Sequence, residues 1–82
     1  MEFDEKLIDA EIRSMASSAG GREFLLWLLS LCNLYADTFT GNSQTYYLEG
    51  KRAVGLDILA RLEEVEKTIY PLMLLEKNKL ED

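Results

Sequence analysis

At 82 residues the chain is shorter than the roughly 100 to 200 expected per domain, so a single domain over 1–82 is predicted. Its 48% hydrophobic content is too high for a disordered tail, while one cysteine, Cys32, and no histidine exclude an internal disulfide and a Cys/His zinc site. A net charge of −6 argues against a protein whose main task is gripping phosphate backbones, and a chain this short without a staple draws extra stability from partner contacts.

The chain opens with Glu2, Asp4 and Glu5, unlike the basic start of a secretory signal. Residues 3–17 carry Phe3, Leu7, Ile8, Ile12, Met15 and Ala16 at helical spacing and are predicted as an amphipathic first helix. Ser17, Ser18, Gly20 and Gly21 then favour caps and turns, which predicts a break near Gly20. Over 22–35 only Arg22, Glu23, Ser30 and Asn33 are polar, giving a second helix with apolar surface nearly all round. Its run from Phe24 to Leu29 is the longest apolar stretch, far below the ~18 to 20 residues that span a bilayer, so no stable membrane insertion is expected.

Residues 36–42 are non-periodic, with a short strand-like piece at 37–40, and read as a loop. Gly41 and Asn42 tolerate left-handed geometry, and Asn42 or Ser43 is the expected N-cap of a third helix over 43–66. The stripe assigned to it is Tyr47, Val54, Ile58, Leu62 and Val65. Pro71 is tolerated in a first turn but would break a longer helix, so a fourth helix over 68–79 is predicted, with Leu72, Met73, Leu75 and Leu80 on its apolar side. With no repeat and no long alternating segment, the fold class is all-α, a small bundle of three to four short helices.

Chemistry is sparse. Without histidine, Cys32 lacks the usual partner of a nucleophile and reads as a small core residue. Glu63, Glu64 and Glu66 read as a solvated helix end, and a small hydrolase or nuclease built on Glu49, Glu63 or Glu64 has the least support. No phosphate-cradling loop, calcium loop or metalloprotease motif is present, so no catalytic residue, cofactor or metal is expected. Tyr46, Tyr47, Trp27 and Tyr35 could stack bases, but with only Lys51 and Arg52 as an adjacent basic pair beside Glu49 they read as aromatic core, and no direct nucleic-acid partner is expected. Gly50 and Gly55 inside a helix each cost roughly 1 kcal/mol relative to Ala, which calls for close approach of helix two of this chain or of a partner helix.

The run Phe39-Thr40-Gly41-Asn42-Ser43, then Thr45-Tyr46-Tyr47, Glu49-Gly50-Lys51-Arg52 and Val54-Gly55, with Gly21-Arg22, Phe24-Leu25 and Cys32 upstream, resembles a family of small tailed-phage proteins encoded among the virion genes of short-tailed phages. The likeness covers roughly residues 20–75. It departs from the family at Tyr46-Tyr47, where Phe-Phe is commoner, and at Glu66-Lys67-Thr68, where the last helix more often opens Asp-Pro-Glu. The resemblance implies a phage setting and a structural or assembly role, with no catalytic residue to carry over.

The combined expectation is a non-enzymatic virion protein, made in the host cytoplasm, that docks in several copies on phage structural proteins at the head-to-tail region or among the internal ejection proteins. Helix two supplies the contacts through Trp27, Leu31 and Leu34, with the loop residues Phe39, Gly41, Asn42 and Ser43 at the rim. The competing expectation is an early regulator that binds and inhibits a host protein.

Overall fold

The computed structural model describes residues 1–35, 41 and 44–81, and among these it is all-α. Four helices follow one another: α1 (Glu5–Ala16), α2 (Ala19–Leu31), α3 (Gln44–Val65) and α4 (Ile69–Glu81). Asp4 caps α1 by accepting from the Leu7 N–H at 3.1 Å, and Ser18 caps α2 by accepting from the Gly21 N–H at 3.0 Å.

The break between α1 and α2 therefore falls at Ser17 and Ser18, earlier than expected, and both glycines lie in the first turn of α2. A Cβ on Gly21 would run into the Met15 carbonyl, so the corner is as tight as it is because that residue has no side chain. Arg22 then reaches back across the corner, donating to the Ala16 carbonyl at 2.9 Å and to Glu76 of α4.

α2 also ends earlier than the expected 35. Asn33 takes a left-handed φ of 59°, and the Cys32 N–H turns back to the Leu29 carbonyl at 3.0 Å. Asparagine is among the few residues that enter this conformation at low cost, which is why a helix can stop here without glycine. At the other end of the chain Pro71 is the third residue of α4, in the first turn, where its missing N–H breaks no helical bond.

The core is built mainly from aliphatic side chains. Leu25, Leu26 and Leu29 of α2 meet Leu62 of α3 and Ile69 and Met73 of α4, with Leu29, Leu62 and Met73 almost entirely enclosed. α1 contributes only partly buried residues, Ile12, Met15 and Ala16, laid against this cluster, while Phe3 and Leu7 of its expected stripe are exposed. The inward face of α3 likewise differs from the expected one, running through Gly55, Ile58, Leu59, Leu62 and Val65 and leaving Tyr47 and Val54 outside. Leu72 and Leu75 of α4 are exposed too, and the side chain of Leu80 lies outside the described residues.

A compact chain of this length has a radius of gyration of about 12 Å. Here it is 14.3 Å, with extents of 44 × 40 × 17 Å, so the molecule is a plate about two helix layers thick. A plate has two broad faces for one thin core, and that geometry decides which apolar residues remain at the surface.

Candidate protein-docking face

α2 carries apolar residues on more of its circumference than one plate face can cover. Turning inward, Leu25, Leu26 and Leu29 take the buried positions. Phe24, Trp27 and Leu31, spaced three and four residues apart, line up on the opposite side, where they are 44%, 53% and 48% exposed. The Phe24 and Trp27 rings contact each other in a tilted arrangement with centroids 5.7 Å apart. Between Phe24 and Tyr35 the sequence holds no charged residue at all.

The rim beside Trp27 is polar. Glu23 and Lys77 form an ion pair at 2.9 Å, and with Leu26, Trp27 and Ser30 they line a shallow cleft of about 130 Å³. A second cleft, of about 240 Å³, sits at the other end of α2 between Arg13, Ser17, Arg22, Glu66 and Leu72. Both are below the ~300 to 1,000 Å³ usual for small-molecule sites, so the α2 face suits a protein surface better than a small ligand.

Of the residues expected at an interface, Trp27 and Leu31 share this exposed face. Leu34 does not: it is half-buried, packs on the core and lies over Gly55, where a Cβ would come 3.0 Å from it and 2.6 Å from Cys32 Cβ. The close approach expected at Gly55 is thus made by the turn that ends α2. Gly50, in contrast, has nothing within 4 Å of where its Cβ would be. Gly41 is exposed with φ 79°, the left-handed geometry that glycine accepts freely. Phe39, Asn42 and Ser43 lie outside the described residues, as does the strand-like piece at 37–40.

Phe24 belongs to the face and was missed by sequence reasoning, although its position three residues before Trp27 was signal enough. The expected aromatic core is overturned: Trp27, Tyr35, Tyr46 and Tyr47 are all exposed. The core is filled by leucine, isoleucine and methionine, and Tyr46 and Tyr47 sit on the first turns of α3, ahead of the first residue of that helix to be buried, Gly55. Lys51 stands over the Tyr47 ring at 5.3 Å from its centroid, a cation–π contact. Tyr35 shares a hydrogen bond with Tyr70, oxygen to oxygen 2.8 Å, and partial burial followed by that bond raises its pKa above the ordinary tyrosine value.

Cys32 is buried and in its free thiol form, and Glu63, Glu64 and Glu66 are exposed. Among the described residues no three of His, Cys, Asp and Glu are placed to hold a metal ion, and no helix is long and apolar enough to cross a membrane.

The model of the Bbp19-like phage protein family matches residues 12–73. The chain belongs to that family. The matched span takes in the last turn of α1, all of α2 and α3 and the start of α4, so both the core and the exposed α2 face lie inside it. No curated protein and no solved structure matches significantly. Membership makes this a phage protein, which agrees with the setting implied by the resemblance of its central motifs.

Proposed function

We propose that the chain is a non-enzymatic, virion-associated accessory protein, a structural or assembly component that docks in several copies on phage structural proteins. The observation that carries this reading is the uncharged, exposed face of Phe24, Trp27 and Leu31 on a helix whose opposite side is already committed to the core. Large exposed apolar patches on soluble chains are liabilities unless a partner covers them, and tryptophan is among the residues most often found at the energetic centre of interfaces. Recognition is helix-in-groove: α2 presents side chains at helical spacing, with the Glu23–Lys77 pair on the polar rim. Neither a cofactor nor a metal takes part. The setting that fits is the virion of a short-tailed phage, at the head-to-tail region or among the internal ejection proteins, after synthesis in the host cytoplasm.

Mass spectrometry of density-purified particles, quantified against the portal and major capsid proteins, tests the reading. Presence at a fixed stoichiometry to the portal is expected. Absence from particles, with abundance in the infected-cell lysate, would reject it in favour of an early regulator that inhibits a host protein.

A further inference from the structure

We infer that the α2 face is covered by a second copy of this chain, α2 pairing antiparallel with α2 across a two-fold axis between Trp27 and Leu28. The inference rests on the reading above that the α2 face is an interface; it makes a second copy the occupant of that face, so that the paired chain, and not a bare α2, is what meets the phage structural proteins.

Four observations lead to it. First, the folded chain exposes 6044 Å², about 1,000 Å² more than the roughly 5,000 Å² expected of a compact protein of its mass. That excess is spread over the plate as a whole, and it is enough to supply the ~800 Å² that each partner contributes to a standard interface. Second, each copy carries a net charge of −6, so two copies repel unless they meet where charge is absent, and α2 from Phe24 to its end, with the turn that follows as far as Tyr35, is uncharged. A partner recognised through charge would find nothing there to read.

Third, Gly20, Phe24, Trp27 and Leu31 recur at steps of four, three and four residues, the spacing of an antiparallel helix-pair seam. Fourth, the seam is complementary to itself. An axis between Trp27 and Leu28 sets Phe24 of one copy opposite Leu31 of the other, and brings the turn after Leu31 to Gly20. Gly20 is a helical glycine with nothing within 4 Å of its Cβ position, so it leaves room for a bulky side chain from the facing copy.

Trp27 is the sole tryptophan, which makes its fluorescence a direct reporter of the seam. The experiment is sedimentation equilibrium of the purified full chain over a wide concentration range, with Trp27 emission followed on dilution. The expected result is a species of twice the 9.4 kDa chain mass, red-shifted emission as it dissociates, and tighter association at high salt, because screening relieves repulsion between like-charged copies. Trp27→Glu and, independently, Phe24→Glu should each give a monomer with wild-type helical circular dichroism, since Leu25, Leu26 and Leu29 are untouched. A wild-type chain that stays monomeric at the highest concentration overturns the inference, as does a dimer that survives both substitutions. The docking reading is separable from it. A monomeric wild type whose Trp27→Glu variant fails to enter particles sinks the second copy and leaves docking in place; a wild type that dimerises while Trp27→Glu enters particles normally supports the second copy and sinks the docking.

Discussion

At the scale of single residues, the two glycines of α3 make opposite predictions. A methyl group at Gly55 has to displace Cys32 and Leu34, so Gly55→Ala is expected to destabilise the fold by about 1 to 3 kcal/mol, the usual range for overpacking. Gly50 is a helical glycine in open space, so Gly50→Ala is expected to stabilise by roughly 0.5 to 1 kcal/mol through helix propensity alone. Urea denaturation of the two variants checks both signs. Tyr35 offers a test by pH. Its raised folded-state pKa means that the protonated form is favoured by folding, so the associated stability is complete below about pH 10 and is lost as pH rises above it. Alkaline titration of tyrosinate absorbance should show one of the four tyrosines ionising late, and Tyr35→Phe should remove that late step. If all four ionise together in the folded protein, the Tyr35–Tyr70 contact is not as described.

At the scale of elements, α1 lies on the bundle without a fully buried residue of its own. Arg61 of α3 helps to hold it, donating to Asp9 at 2.7 Å and to the carboxylate and carbonyl of Glu5 at 2.7 and 3.2 Å. Arg61→Gln should therefore speed amide hydrogen exchange in α1 selectively, and the difference from wild type should shrink at about 1 M salt, where exposed pairs are screened. Equal acceleration in all four helices would contradict this. The sequence shows the four helices clearly because their apolar periodicity and the first-turn position of Pro71 are local signals. The limits of α2 were less legible: Ser18 outcompetes the glycines as the cap, and the stop at Asn33 depends on a φ that composition does not announce. The inward face of α3 departs from the expected stripe for a different reason. Tyr47 and Val54 are apolar, but helical periodicity says which residues share a face and not where along a helix its neighbours begin.

At the scale of the whole molecule, a thin plate with a small core leaves little reserve. Leu29 is completely enclosed, and Leu29→Ala is expected to cost about 2 to 5 kcal/mol, comparable with all the stability a core of this size supplies. The isolated variant should lose its cooperative thermal transition, whereas Leu31→Ala, altering an exposed position, should keep it. The same contrast explains how far the candidate site could be read from sequence. That α2 has more apolar surface than its neighbours can cover is visible from residues 22–35 alone, but which side faces out depends on how the helices pack, so the sequence does not separate Leu34, which turns to the core, from Phe24, which turns out. The most direct test of the docking account is to supply Trp27→Glu in place of the wild-type chain during infection and to quantify it in purified particles. The account predicts that the variant accumulates folded in the cell while its incorporation falls at least roughly tenfold, the loss expected when a central interface residue worth more than about 1.4 kcal/mol is removed. Incorporation at the wild-type level would show that the α2 face is not what holds this protein to its partners.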